Sequence, residues 1–160
     1  SLYFDKIFPL GVEALLQAAD LVTAGRATEW TQDEKEATYE GWVREAESRI
    51  NWANHVDFVY DLIRGCNPAP GAWTMLGEQK LYLFDAKKIT AATFGAVRGK
   101  KIGEVAAAGP EGLRIHAQGG FVEVSRVRLG DGAKIKASDS GIAAGTILGG
   151  EPVPADKTVG

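Results

Sequence analysis

The stretch IRGCNPAPGAWT, residues 63–74, constrains this chain more than any other. An amphipathic run ends at Gly65, Pro68 and Pro70 follow, and Gly71 and Trp73 close the span, although the whole chain has only six prolines. Proline fixes φ and stops helical continuation, while glycine admits a sharp reversal. The stretch reads as a corner that sets a fixed angle between a helix and the element after it. A surface loop would suffice merely to end a helix.

The texture differs on the two sides of the corner. Before it, NWANHVDFVYDLIRG (51–65) puts Val56, Val59, Tyr60 and Ile63 on one helix face, with Asn51 or Asn54 as the expected N-cap. Further upstream, GVEALLQAADLVTA (11–24) spaces Val12, Leu15, Leu16, Ala19 and Val22 as a second helix, stopped by Gly25. Such a helix is marginal alone in water, and each buried Leu or Val contributes about 1.5–3 kcal/mol, so its stripe calls for a covering surface. Between the helices, residues 26–50 are polar, carry the acidic cluster DEKE (33–36), and read as a linker.

After the corner come short runs punctuated by glycine: QKLYLFD (79–85), ITAATF (89–94), KIGEVAAA (101–108), GLRIHAQ (112–118), FVEVSRVRLG (121–130) and AKIKASD (133–139). Their spacing predicts a small antiparallel barrel, with QGGF and GDGA as hairpin turns. Within 121–130, Val122 and Val124 share one face while Val127 and Leu129 share the other, which predicts a bulge near Ser125. The expected fold class is α+β, mainly β: a small, open, OB-like antiparallel barrel preceded by two helices and a linker. The Gly- and Pro-rich end, GGEPVPADKTVG, reads as a flexible tail.

Composition narrows the function classes. No apolar run approaches the ~20 residues of a membrane span, and the start shows no basic-then-apolar signal pattern, so a cytoplasmic location is expected. Cys66 stands alone, which excludes a disulfide framework and a cysteine-based zinc site. The net charge of −3 is unevenly distributed: twelve acidic and six basic residues precede Pro70, whereas eleven basic and seven acidic residues lie from Pro70 to Thr146. This describes either two differently solvated pieces or a weakly basic module that meets an anionic ligand. The chain lacks an initiating methionine, its only Met being Met75, and reads as a fragment or trimmed product.

No catalytic constellation emerges. His55 and Asp57 are two apart, so on a helix they would face different ways. His116 alternates with Ile115 as a strand residue without a ligand pattern, and Cys66 reads as a small buried thiol. No metal site and no phosphate-binding glycine loop is expected. Tyr82 and Phe84 share a strand face and read as core. Arg126 and Arg128 share another, and are the candidates for contacting an anion.

The string ATYEGWVREAESRINW (37–52), followed in register by IRGCNPAPGAWT, resembles the C-terminal region of the formyltransferase family, which includes methionyl-tRNA formyltransferase and the hydrolase domain of 10-formyltetrahydrofolate dehydrogenase. Tyr39, Ile50, Trp52, Ile63, Arg64, Asn67, Pro70, Gly71, Ala72 and Trp73 carry the resemblance, and ATYEG looks more like the dehydrogenase form. It implies structural roles for Tyr39, Trp52, Arg64, Asn67, Pro70, Gly71 and Trp73, with Trp73 wedging helix against barrel. It also implies that residues 1–28 are the terminal helix of a missing Rossmann-like catalytic domain, 29–50 a linker, 51–146 the helix plus OB-like domain, and 147–160 the tail. The family's catalytic Asn, His and Asp would lie upstream, so Asn51, His55 and Asp57 are not those residues and no catalytic residue is expected here. The full-length enzyme would use 10-formyltetrahydrofolate, which this fragment would not bind, and its formyl acceptor would be a small amine, an amino-sugar, tRNA or water. Two rival expectations stand beside this: a free-standing OB-like module for nucleic acid, and self-association through residues 12–22.

Overall fold

The computed structural model describes residues 2–90 and 101–150, which fall into two compact units, Ser1–Glu40 and Gly41–Gly160. In the first, a π-helical turn (Tyr3–Ile7) runs into α1 (Phe8–Thr23). Pro9 stands just past the junction of the two, without the N–H that a continuous helix would use there. Gly25, at φ +65°, ends the helix as its position in the sequence predicts. The described residues bury none of α1: Leu10, Leu15, Leu16 and Val22 are 62–72% exposed. Beyond it the chain is extended apart from a 3₁₀ turn (Glu34–Glu36), where the Asp33 carboxylate accepts from the Lys35 N–H at 3.0 Å.

The second unit is built on one antiparallel sheet. Its strands are β1 (Ala72–Leu76), β2 (Gln79–Thr90), β3 (Val105–Gly109), β4 (Gly112–Ala117), β5 (Gly120–Leu129) and β6 (Ile135–Lys136). The order is β1-β2-β5-β4-β3, with β6 also on β5, and β1 does not pair with β3. The sheet is therefore open, as expected. The QGGF turn joins β4 to β5 with Gly119 at φ +81°, and the GDGA segment joins β5 to β6. The corner leads from α2 into a strand, but that strand is β1, AWTML, which precedes the first of the expected strand runs at 79–85. Of the expected strand at 89–94, Ile89 and Thr90 are the end of β2, and 91–94 lie outside the described residues.

The alternation in β5 does slip, but not through a bulge. Phe84 opposes Arg126 and Ala86 opposes Val124, so the β2–β5 register is the same on both sides of Asp85 and Ser125. Asp85 takes φ +53°, and at that point both strands shift their alternation together, so that Leu83, Ala86, Val124 and Val127 all stay with the same core. Ser125 is also where β5 exchanges β4 for β6 as its second neighbour. The register shift that does occur lies in β3, between Val105 and Ala107.

One face of the sheet carries α2 (Val56–Gly65), whose Val56, Val59 and Ile63 are buried with Leu81, Leu83, Leu113, Ile115, Val122, Val124 and Val127. The N-cap is His55 instead of Asn51 or Asn54, its Nδ1 accepting from the Asp57 N–H at 3.4 Å. Because His55 precedes the helix, its ring also comes within 3.2 Å of the Asp57 carboxylate, a contact that helical spacing argued against.

The sheet edges are covered by irregular chain. Ser48 O accepts from Trp73 N and Trp73 O from Ile50 N, so residues 48–50 pair with β1. At the opposite edge Thr146 O accepts from Val105 N and Gly103 O from Leu148 N, and Gly149 N then donates to Met75 O on β1. Residues 146–149 thereby span the opening between the first and last strands, satisfying edge groups that would otherwise invite another chain.

Candidate functional site

The corner joins α2 to β1 through a short, tied segment. Gly71 N donates to Cys66 O at 2.8 Å, and Asn67 Nδ2 donates to Asp85 Oδ1 at 2.9 Å. Gly71 has φ +90°, and a Cβ there would lie 3.1 Å from the rings of both Phe84 and Tyr82. Cys66 is buried, and burial pushes its thiol up, which suits packing and not nucleophilic work. Arg64 is exposed, with its guanidinium 5.4 Å from the Tyr60 ring. Tyr39 is exposed in the first unit.

Two of the four tryptophans, Trp52 and Trp73, divide between the two faces of the sheet. Trp52 belongs to the α2-side core and donates from Nε1 to Thr74 Oγ1 at 2.9 Å. Trp73 lies on the opposite face with Met75, Tyr82 and Phe84, and donates from Nε1 to Glu45 O at 2.7 Å. Trp73 is thus not a wedge between helix and barrel. Strand alternation sends Ala72 and Thr74 toward α2 and Trp73 and Met75 away from it.

Register brings the aromatic and basic candidates together on that far face. Trp73 opposes Tyr82, Tyr82 opposes Arg128, and Phe84 opposes Arg126. Directly opposed residues share a face, so the sequence assignment of the aromatics and arginines to separate faces does not hold. The Arg128 guanidinium lies 4.0 Å from the Tyr82 ring centre and Lys134 Nζ 3.6 Å from that of Phe84. Lys80 Nζ and the Arg49 guanidinium lie 4.7 and 5.6 Å from Trp73. The rings are buried beneath cations, each contact worth about 0.5–1 kcal/mol. Arg126 is exposed and opposes Lys136 on β6.

One carboxylate enters this face. Glu45 Oε1 accepts from Lys80 Nζ at 2.7 Å and from the Tyr82 hydroxyl at 2.9 Å. The Lys80 hydrogen bond, then that of Tyr82, holds the Glu45 carboxyl below its ordinary range, and the same pairing raises Lys80. Burial, then the bond to Glu45, raises Tyr82. A carboxyl lowered in the folded state stabilises fully above its unfolded value, and that contribution is lost as pH falls through the folded one. Glu45 and Lys80 are 54% and 36% exposed, so screening limits the pair to about 0.5 kcal/mol. The wild-type advantage over Glu45→Gln in urea unfolding is expected at pH 7 and should be lost at a pH well below the ordinary carboxylate range. An advantage unchanged at that pH would show that the clasp is not ionic.

Elsewhere, His116 is buried and its Nδ1 donates to Lys101 O at 3.0 Å, while Nε2 has no partner among the described residues. No group of three or more His, Cys, Asp or Glu among the described residues is arranged to hold a metal. No described helix is long and apolar enough to cross a membrane. Glu45, Lys80, Lys134 and Arg49 were not legible as site residues. Lys80, two before Tyr82 on one strand, carried the nearest available signal.

The formyl transferase C-terminal domain family matches residues 43–142. Methionyl-tRNA formyltransferase of Syntrophus aciditrophicus is 30% identical over 149 residues, which cover 91% of this chain and 46% of that protein. Human cytosolic 10-formyltetrahydrofolate dehydrogenase is 38% identical over 86 residues, 54% of this chain and 10% of that protein. The chain therefore spans less than half the length of these relatives. Among solved structures, a variant of HypX from Aquifex aeolicus shares the fold at TM-score 0.66 and 21% identity, over 86% of this chain and 24% of that one. HypX in complex with tetrahydrofolic acid matches at TM-score 0.62 and 22% identity, over 79% of this chain and 22% of that one. This chain belongs to the formyl transferase C-terminal domain family.

Proposed function

We propose that this chain is the acceptor-side, non-catalytic part of a cytoplasmic 10-formyltetrahydrofolate-dependent formyltransferase or formyl-folate hydrolase. The observation that carries this is the family match across residues 43–142, on a chain that covers only part of its relatives. In the full-length enzyme the formyl group leaves the folate N10 and bonds to an acceptor amine, or to water, which gives up a proton. That chemistry belongs to an upstream domain, which binds the folate and covers the exposed stripe of α1. Residues 1–28 are that domain's closing helix, residues 29–50 the connection, and 51–146 the domain proper. Tyr39, Trp52, Arg64, Asn67, Pro70, Gly71 and Trp73 serve its architecture.

The cationic face, Arg126 and Arg128 included, meets the anionic part of the acceptor. A nucleic-acid ligand is favoured by those cations, but Tyr82 and Phe84 are only 8% and 1% exposed. Unpaired bases stack on open rings, so contact here is to phosphates, with the salt dependence that this brings.

The isolated chain is expected to release no formate from 10-formyltetrahydrofolate and to transfer no formyl group to an added amine, both followed by folate absorbance. Turnover above buffer would overturn the proposal. Joined behind the portion of the Syntrophus relative that it does not cover, the chain should form a chimera that binds 10-formyltetrahydrofolate, while the chain alone does not.

A further inference from the structure

We propose that Glu45 is a built-in counter-anion, whose carboxylate occupies the edge of the cationic face and competes there with the phosphate groups of an incoming ligand. The proposal rests on the reading of that face as an anion-contact surface. Two donors from β2, the Lys80 ammonium and the Tyr82 hydroxyl, converge on the single oxygen Oε1. Any oxyanion oxygen placed there would satisfy them equally, and charge-assisted donors of this kind are the strong ones. The residue they now hold comes from the irregular segment 45–50, a strap that pairs with β1, and not from the sheet.

The strap does not depend on that side chain. Glu45 is fastened independently through its backbone carbonyl, which accepts from Trp73 Nε1. The carboxylate can therefore swing away while the strap stays in place, and it is already half exposed. Beside it lies a recess of about 460 Å³, lined by Glu45, Gln79, Lys80, Tyr82, Gly130 and Asp131 among others. Such a space admits a phosphate group. Arg128 stands over the Tyr82 ring, and Arg49 flanks Lys80 over Trp73. Lys134, over Phe84, extends the positive surface. Asp131 is the other carboxylate in the recess. With Glu45 in place, the donors that project most directly toward a ligand are neutralised internally. Moving the carboxylate aside uncovers them.

The test uses the full 160-residue chain and inorganic tripolyphosphate, a polyanion without bases, titrated calorimetrically. Glu45→Gln preserves an acceptor for Lys80 and Tyr82 but removes the competing charge. It is expected to bind about fivefold to tenfold more tightly than wild type at low salt. The gain should shrink as ionic strength rises to about 0.3 M. The double variant Lys80→Gln/Arg128→Gln should bind at least about tenfold more weakly. Lys80→Gln alone replaces it if melting curves show that the pair does not fold. Equal or weaker binding by Glu45→Gln, with the lysine variant still impaired, overturns the counter-anion role and leaves the face intact as a binding surface. No binding by wild type, or none of it lost on removing Lys80 and Arg128, overturns the anion-contact reading itself, and this proposal with it.

Discussion

Replacing Gly112 with alanine is expected to destabilise the domain by about 4 kcal/mol, or to prevent folding altogether. The residue opens β4 at φ +120°, a region that L side chains rarely enter, and there is no space for a methyl group. An added Cβ would lie 2.0 Å from Val124 O, 2.9 Å from Val124 C and 3.1 Å from Ser125 Cα, all of them backbone atoms of β5. A flexible side chain could turn aside, but a paired strand cannot. Relief would require breaking the Leu113–Val124 pairing that begins the β4–β5 ladder and lies directly over the buried core. The position is also where β5 changes neighbours, so a displaced β4 start would disturb the β6 junction. Gly109, its partner across the β3–β4 turn, is the control, because a Cβ there meets nothing within 4 Å. Gly109→Ala should stay within about 1 kcal/mol of wild type. Urea unfolding of both variants decides the matter. A Gly112→Ala domain as stable as the Gly109→Ala one would mean that β4 does not approach β5 so closely.

Much of this architecture is legible in the sequence. Helical spacing placed α1 and α2, glycines marked their ends and the two hairpin turns, and the strand runs from residue 79 onward fell near the observed ones. The signals that failed share a physical origin. The bulge predicted at Ser125 was inferred from β5 alone, whereas the slip is made jointly with Asp85 on β2. Asp85 adopts a left-handed backbone that nothing in LYLFD announces. β1 is absent from the glycine-bounded strand runs because its five residues begin inside the corner motif itself, with no turn residues to set them apart.

The site was the least legible part. Alternation within one strand tells which residues share a face, but not which faces of two strands coincide. That depends on register, and register put Arg128 over Tyr82. Glu45 could not be found at all from pattern, since it stands in an irregular, charge-rich stretch. It gains its role from a strap crossing to strands some 35 residues away in sequence. The helix cap failed for a simpler reason: asparagine is the commoner N-cap, but the chain enters α2 one residue later, through a histidine ring nitrogen.

Trp73→Ala is expected to cost about 3–5 kcal/mol, and to take that loss from one side of the sheet only. The ring is buried at 4% exposure and forms, with Met75, Tyr82 and Phe84, a small core separate from the one beneath α2. Its removal leaves a cavity between Tyr82 and the strap, strips Lys80 and Arg49 of the surface they lie on, and leaves Glu45 O without its indole donor. Trp73→Phe restores an aromatic surface but not the hydrogen bond, and should recover all but about 1–2 kcal/mol. Amide exchange distinguishes this account from a wedge between helix and barrel. The Ile50 N–H, bonded to Trp73 O, and its neighbours in 45–50 should lose protection under conditions where the variant is still folded. Val59 and Ile63 in α2 should keep theirs, because their contacts are on the far side of the sheet. Protection lost in α2 to the same degree as in the strap would return Trp73 to the helix interface.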